Sequence, residues 1–408
     1  MRVASLSRFL TFCLVAVSLA THAQKRSDNE PLLSQMLRDA PESVASVLVH
    51  PDRHRVQILY TRIVRDEGEA PRFETHAFRS NSEYFYPAST VKFPTAVFAL
   101  ERLNELGIPR SAELRVAPAS MRLPGTGKDP AKSIAQYVHE IFVVSDNDAY
   151  NRLYEFLGPQ AIEERLRALR LEGTRIVHRL SIPATTGENR IANASELWLE
   201  GRRVAMLSER RAPLRVYERL PLGSSYIDAK GAVIHAPFDF GAKNAFPLDA
   251  QQALLREVFF PSPSLSLTEE DLEFLQRELA TLPRESLNPV YPSSEYPDSY
   301  AKFLLAGGEA SLPAGVTIYN KIGQAYGFTT DNAFIVNPTL GVEFFLAATI
   351  YTNANDRFND DDYEYDEVAI PFMRDLGRLV YDREIRLSSP HKDSHSSGVR
   401  TRTSMPAI

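Results

Sequence analysis

The chain has strand-forming segments near both ends of its globular part and a mostly helical middle. Residues 56–65 and 72–79 are rich in β-branched and aromatic residues, and the polar segment between them favours a hairpin. Strand-like segments return at 316–321, 328–336 and 342–352, after a long stretch of largely helical apolar spacing. We therefore predict one antiparallel sheet that takes its strands from both ends of the chain, with a helical region inserted between them.

The first 23 residues have the pattern of an export signal. An apolar core, Phe9–Ala20, follows two arginines and is too short to span a bilayer, so we expect cleavage rather than anchoring. The only cysteine, Cys13, lies within this segment, which leaves the mature chain without disulfides or thiol nucleophiles. We predict a periplasmic or secreted protein with no stable membrane insertion once the signal is removed.

Three short motifs with chemical potential follow one another along the chain. Ser89 and Lys92 lie three residues apart at the start of a predicted helix that runs to about Leu106, so both side chains share one helical face. Ser145-Asp146-Asn147 and Lys321-Ile322-Gly323 come later. A serine hydroxyl needs an adjacent base, and a lysine can serve if burial and a nearby cation lower its pKa. Alone, the first motif is more simply a helix cap and a solvated lysine, but the ordered trio favours a serine nucleophile.

These motifs resemble the S-x-x-K, S-D-N and K-T-G signature of class A β-lactamases and penicillin-binding proteins. The similarity extends through Ser145–Asn151, which resembles the family's S-D-N-x-A-x-N run, and Leu157-Gly158-Pro159 follows it as in the family. The resemblance covers roughly residues 40 to 385. It implies an α/β (α+β) fold in which a five-stranded antiparallel sheet is flanked by helices and carries an inserted all-helical subdomain.

The same resemblance assigns roles to individual residues. It implies that Ser89 attacks the carbonyl carbon, that Lys92 takes its proton and that Ser145 passes a proton to the leaving nitrogen. It also implies that Lys321 faces the substrate carboxylate and that the backbone N–H groups of Ser89 and Gln324 form the oxyanion hole. Asn147 and Gly323 would contact the substrate, and Asn151 would support the following loop.

The sequence departs from the family in two places. Ile322 stands where the family has Thr or Ser, so one hydroxyl donor to a substrate carboxylate is missing. The loop that carries the deacylating glutamate corresponds to residues 176–187, which hold no carboxylate, and Leu180 or Ser181 takes the place of the glutamate. His178 and the slightly later Glu188 are the alternative bases. The motifs therefore predict acylation, whereas this loop supplies no carboxylate for deacylation.

The predicted organisation is a signal (1–23), a lead-in (24–39), one hydrolase domain (40–387) and a disordered tail (388–408). Within the domain we assign about 40–106 and 311–387 to the sheet subdomain and about 107–310 to the helical one. Residues 200–300 exceed what a compact family member needs and suggest a helix followed by a loop or hairpin. The acidic run 360–367 lacks the spacing of a calcium loop and is interpreted as a solvated loop before a last helix.

The predicted function is acyl transfer through Ser89, acting on β-lactam amides. One alternative is a penicillin-binding or DD-peptidase-like protein that deacylates slowly on peptidoglycan peptides, and another is a protein that uses the cleft only for binding. We expect a small-molecule or peptide partner, a monomer, and no cofactor or metal. The formal charge of −6 without a basic stripe argues against nucleic acid.

Overall fold

The structure is a computed structural model that describes residues 30–66, 68–116 and 131–388. The predicted signal and the tail after Ser388 lie outside these residues. No helix within the described ranges is both long enough and apolar enough to cross a membrane.

The helices are numbered in chain order. They are α1 (Glu30–Arg38), α2 (Glu42–Leu48), α3 (Lys92–Leu106), α4 (Ile134–Val143), α5 (Asn147–Leu157), α6 (Pro159–Ala168), α7 (Thr186–Asn189), α8 (Leu248–Phe259), α9 (Glu269–Ala280) and α10 (Ile370–Ser388). Short 3₁₀ turns occur at Ala88–Val91, Pro283–Glu285 and Asp298–Ala301, and a π-helical turn, Tyr365–Ala369, leads into α10.

The strands are numbered in the same way. They are β1 (Gln57–Val64), β2 (Arg72–Phe78), β3 (Glu113–Val116), β4 (Lys132–Ser133), β5 (Ile191–Ala192), β6 (Ser195–Leu199), β7 (Arg202–Leu207), β8 (Arg210–Arg211), β9 (Pro221–Leu222), β10 (Ser225–Ile227), β11 (Val233–Ile234), β12 (Phe238–Asp239), β13 (Thr317–Ala325), β14 (Phe328–Asn337), β15 (Val342–Tyr351) and β16 (Arg357–Phe358).

The main sheet has five antiparallel strands in the order β13-β14-β15-β1-β2. The first and last parts of the chain therefore meet where β1 pairs with β15, for example Tyr60 opposite Leu346. This confirms the predicted sheet. Its strand bounds lie within a few residues of those expected, because these segments carry the strongest β-branched and aromatic patterns.

Apolar side chains pack on both faces of this sheet. On one face, α1, α2 and α10 cover a core that includes Leu33, Ile318 and Phe372. On the other face, α8, α9 and the helices of the inserted region form the larger core. The predicted lead-in therefore contributes α1 to the packed domain, and the sheet is covered on both sides as the fold class requires.

The inserted region contains strands as well as helices. A four-stranded sheet of order β4-β3-β6-β7 lies within the part predicted to be all helical, and residues 202–207, interpreted as the start of a helix, form β7. The turn before it places Glu200 (φ 49°) and Gly201 (φ 75°) in the left-handed region. Two successive left-handed residues favour a tight hairpin over a helix, which explains the difference. The loop or hairpin expected later in this segment contains one short hairpin, β10 and β11.

Candidate active site

A cavity of about 700 Å³ opens between the main sheet and the inserted region. Ser89 lies in its wall, and the end of β13 and the loop 177–184 form two other sides. Asn147, at the start of α5, completes this part of the wall. Residues from all three sequence motifs or their immediate neighbours are thus brought to one place.

Ser89 lies in the 3₁₀ turn that precedes α3, so Lys92 follows it by one helical turn. The preceding Ala88 has φ 45°, a conformation that a non-glycine residue adopts at an energetic cost. The strand β13 passes directly beside this turn. A Cβ atom on Gly323 would lie 2.3 Å from the carbonyl oxygen of Pro87 and 3.0 Å from the backbone nitrogen of Ser89. Only glycine permits this approach.

Ser145 links the two lysines of the motifs. Lys321 Nζ donates to Ser145 Oγ at 2.8 Å, and Lys92 Nζ lies 3.2 Å from the same oxygen. Lys92 also donates to the backbone carbonyl of Ser145. Ser145 itself has φ 59°, so the backbone turns sharply at the junction of α4 and α5. The hydroxyl of Ser145 is therefore positioned as a bridge between two amines.

Both amines are in an environment that disfavours their charged form. Lys92 is completely buried, and this burial lowers its pKa to about 7 despite the opposing influence of Asp146. Burial also lowers the pKa of Lys321 well below its usual value, and the nearby charge of Lys92 lowers it further. A neutral lysine at near-neutral pH can accept a proton from a neighbouring hydroxyl.

The polar residues of α5 hold the loop that faces Ser89. Asp146 caps the helix by accepting from Ala149 N at 2.7 Å. Asn151 bonds both backbone groups of Leu180, donating to its carbonyl oxygen and accepting from its N–H, each at 2.9 Å. Asn147 Nδ2 donates to Ser181 Oγ at 2.8 Å. The loop is thus fixed relative to the helix by side chains from a single turn region.

The two alternative bases differ in placement. Glu188 does not line the cavity; its carboxylate accepts from the backbone and hydroxyl of Thr185 in the capping box of α7. His178 does line the cavity, and its Nδ1 lies 2.6 Å from the carbonyl oxygen of Arg179. Burial, followed by the charge of Lys243, lowers the pKa of His178 to about 4. Its Nε2 is buried and has no hydrogen-bond partner in the described structure.

The third motif contributes three residues in different ways. Lys321 reaches Ser145, Gly323 packs against the 3₁₀ turn, and Gln324 lines the cavity. Ile322 points to the opposite face of the sheet, where it is 7% exposed within the core beneath α10. The position that carries Thr or Ser in the family is therefore filled here by a core side chain.

Sequence reasoning missed several residues of the cavity wall. Lys243 comes from the segment before α8, and Asp361 comes from the acidic run interpreted as a solvated loop. Tyr86 and Tyr326 form part of an aromatic wall, with their rings 5.0 Å apart. None of these residues belongs to a motif that predicts a cavity wall, so the sequence gave no signal that they meet.

The comparisons with known proteins agree with this geometry. A sequence model described as the β-lactamase enzyme family matches residues 61–210, which include Ser89, Lys92 and Ser145. Over this segment the chain is similar to the β-lactamase enzyme family. This confirms the resemblance proposed from the motifs.

Solved structures similar to this chain include PBP-A, with 17% identity, a TM-score of 0.51, and 86% of this chain and 96% of that chain covered. A β-lactamase from Sphaerobacter thermophilus DSM 20745 has 16% identity and a TM-score of 0.50, with 85% and 98% covered. A PBP-A variant described as an acyl-enzyme complex with penicillin G has 17% identity, a TM-score of 0.50, and 86% and 96% covered. At these identities the likeness shows the fold. No curated protein matches the chain.

The close approach at Gly323 generates a stability prediction. Gly323→Ala should lower the free energy of unfolding by about 2 kcal/mol or more, because overpacking against backbone atoms cannot be relieved by a side-chain rotation. Denaturant unfolding followed by circular dichroism measures the change. The control is Gly187→Ala, whose Cβ would meet no atom closer than 4.0 Å. Equal stability of the two variants would mean that β13 moves freely away from the Ser89 turn.

Proposed function

We propose that the protein is an exported serine hydrolase of the β-lactamase and penicillin-binding type that forms an acyl-enzyme at Ser89. The observation that carries the proposal is the convergence of Lys92 and Lys321 on Ser145, beside a cavity that Ser89 lines. Simple binding of a ligand does not require two buried amines on one hydroxyl. This argues against a protein that uses the cleft only for recognition.

In the proposed reaction, Ser89 Oγ bonds to the carbonyl carbon of a β-lactam or peptide-like amide. Lys92, in its neutral form, takes the hydroxyl proton. The N–H groups of Ser89 and Gln324 stabilise the oxyanion. As the C–N bond breaks, Ser145 gives a proton to the leaving nitrogen and is reprotonated by a neighbouring amine. Water then hydrolyses the ester and restores the Ser89 hydroxyl.

Slow hydrolysis of this ester is the version of the function that the cavity supports best. The loop residues 176–187 carry no carboxylate, and Glu188 is engaged in a helix cap. Asp361 is the one acidic residue among the described cavity-lining residues, and it lies on an exposed loop. A protein with this wall would be acylated and then remain acylated, as a penicillin-binding protein does. Turnover would require another base, and His178 is the alternative in the wall.

Intact-mass spectrometry after incubation with penicillin or a chromogenic cephalosporin tests the proposal. We expect an adduct of the whole β-lactam on the wild-type protein that decays slowly, and no adduct on Ser89→Ala. Ser299→Ala is the matched control, because Ser299 also precedes a buried lysine by three residues but its hydroxyl donates to the carbonyl oxygen of Glu309 at 2.5 Å. Labelling that persists on Ser89→Ala would identify a different nucleophile and overturn the assignment.

The lowered pKa of Lys92 predicts a pH dependence of acylation. Because Lys92 must be neutral to take the proton, the second-order acylation rate constant should rise as the pH increases through about 7, and level off above it. Stopped-flow measurements with a chromogenic cephalosporin give the profile. Lys92→Arg should abolish the rise together with most of the activity, since a guanidinium does not deprotonate in this range. A flat wild-type profile would exclude Lys92 as the base.

A carboxylate placed in the loop should accelerate loss of the adduct. Leu180 is the better of the two positions because it belongs to the cavity wall and Asn151 fixes its backbone. Ser181 has φ 55°, and its hydroxyl accepts from Asn147. We expect Leu180→Glu to shorten the adduct lifetime at least about tenfold, within the usual range for a general base. Leu180→Gln is the isosteric control, and equal lifetimes for the two variants would show that a missing base does not limit turnover.

A further inference from the structure

One lysine in the cavity wall has no part in the proposed acylation. Lys243 Nζ donates to the hydroxyl of Tyr326 at 3.2 Å and lies 5.3 Å and 5.2 Å from the ring centroids of Phe238 and Tyr326. No carboxylate of the described residues forms an ion pair with it. The charge of Lys243 is therefore balanced only by two aromatic faces and one hydroxyl.

The backbone of Lys243 is fixed from two sides. Arg175 Nε donates to its carbonyl oxygen at 2.7 Å, and its own N–H donates to the carbonyl oxygen of Phe240 at 3.0 Å. The next residue, Asn244, is completely buried and accepts from Val177 N at 2.8 Å. The backbone of Lys243 is thus held in place at the junction between the inserted segment and the cavity loop, unlike that of a lysine on a free surface.

The cavity carries a net positive charge at the end where Lys243 lies. Arg175 lies beside it, and no carboxylate of the described ranges pairs with that guanidinium either. Arg179, which also lines the cavity, is neutralised by its buried ion pair with Glu155 at 2.5 Å. Because its pKa is lowered to about 4, His178 adds no charge at neutral pH but presents an unpartnered Nε2. Asp361 also lines the cavity, but the described structure shows no ion pair between it and Lys243.

The resemblance assigns Asn147 to the acyl side chain of the substrate, and by that assignment Lys243 lies on the acyl side of the proposed reaction centre. Lys243 hydrogen-bonds Tyr326, which follows the end of β13 and lies two residues after Gln324. The neighbouring residue Asn244 accepts a hydrogen bond from the cavity loop, and the same loop contacts Asn147 through Ser181. A substrate held with its carbonyl carbon at Ser89 can extend its acyl side chain between this loop and β13.

We propose that Lys243 is a specificity-determining residue that binds a carboxylate or similar anionic group on the acyl side chain of the substrate. This inference rests on the proposed function, since it names the substrate class of the same site. The preferred substrate is an amide with an anionic substituent on its acyl side, which hydrogen-bonds the Lys243 ammonium while its carbonyl occupies the oxyanion hole.

Two penicillins that differ by one carboxylate provide the test. Benzylpenicillin has a neutral acyl side chain, and carboxybenzylpenicillin carries a carboxylate on the same side chain. Second-order acylation rate constants are measured for both with the wild type, Lys243→Met, Lys243→Arg and the control Lys230→Met. Lys230 is exposed on the same inserted segment and outside the cavity wall.

Lys243→Met should lower the acylation rate constant for carboxybenzylpenicillin about tenfold, which corresponds to the loss of one charge-assisted hydrogen bond. The rate constant for benzylpenicillin should change less than about twofold. Lys243→Arg should retain most of the preference, and Lys230→Met should behave as the wild type. Increasing ionic strength should reduce the wild-type preference, because the cavity is open to solvent. Equal losses for both penicillins would make Lys243 a structural residue, and unchanged rates for both would also overturn the proposal.

Binding without chemistry separates this inference from the proposed function. In a Ser89→Ala background, calorimetry compares the affinity for the two penicillins with Lys243 present and with Lys243→Met. A carboxylate preference that depends on Lys243 supports the subsite even if the wild type forms no adduct, in which case only the acylation proposal fails. If the Ser89→Ala protein binds both compounds equally, or binds neither, the subsite does not exist.

Discussion

The site depends on two lysine amines that are buried around the hydroxyl of Ser145. Removing a cation from water costs several kcal/mol unless it is paired, and neither Lys92 nor Lys321 has a carboxylate in contact. The fold meets this cost by lowering both pKa values, so that the amines can be neutral, and by giving each of them oxygen acceptors. The burial that disfavours the charged form of these amines is thus also what makes a lysine available as a base.

The three groups come from parts of the chain that meet only in the folded molecule. Lys92 is on α3, Ser145 joins α4 to α5, and Lys321 is on β13, at the edge of the sheet. Behind β13, a second buried network keeps the strand in position. Asn320 donates to Asp331 on β14 at 2.7 Å and accepts from Lys302 at 2.8 Å. Each buried polar group in that network has a partner, as a rigid scaffold requires. The register of β13 therefore determines where Lys321 and Gly323 meet the inserted region.

The sequence allowed the sheet and the motifs to be predicted because both have local signals. Alternating and β-branched residues mark β1, β2 and β13–β15, and Ser89 with Lys92 share one helical turn. The region around β6 and β7 was misinterpreted, since its strands are short and only Gly201 indicates the hairpin. Lys243 could not be found because its importance comes from a contact with Tyr326, more than eighty residues away. Residues that act through such distant contacts have no period or spacing to reveal them.

For the histidine in the cavity loop, burial determines the pKa, whereas position determines which chemical role it can take. With its Nδ1–H donating to the carbonyl oxygen of Arg179, His178 keeps the lone pair of Nε2 free. Its lowered pKa makes this nitrogen about as basic as a glutamate carboxylate, whose ordinary pKa is about 4.3. Basicity alone therefore does not distinguish it from the family's missing glutamate. Its position does distinguish it: the ring stacks on Tyr86 with centroids 6.2 Å apart and lies beside Lys243, in the part of the cavity that we assign to the acyl side chain. Its Nε2 is buried, so this nitrogen must become accessible before it can take a proton from water at the ester carbon.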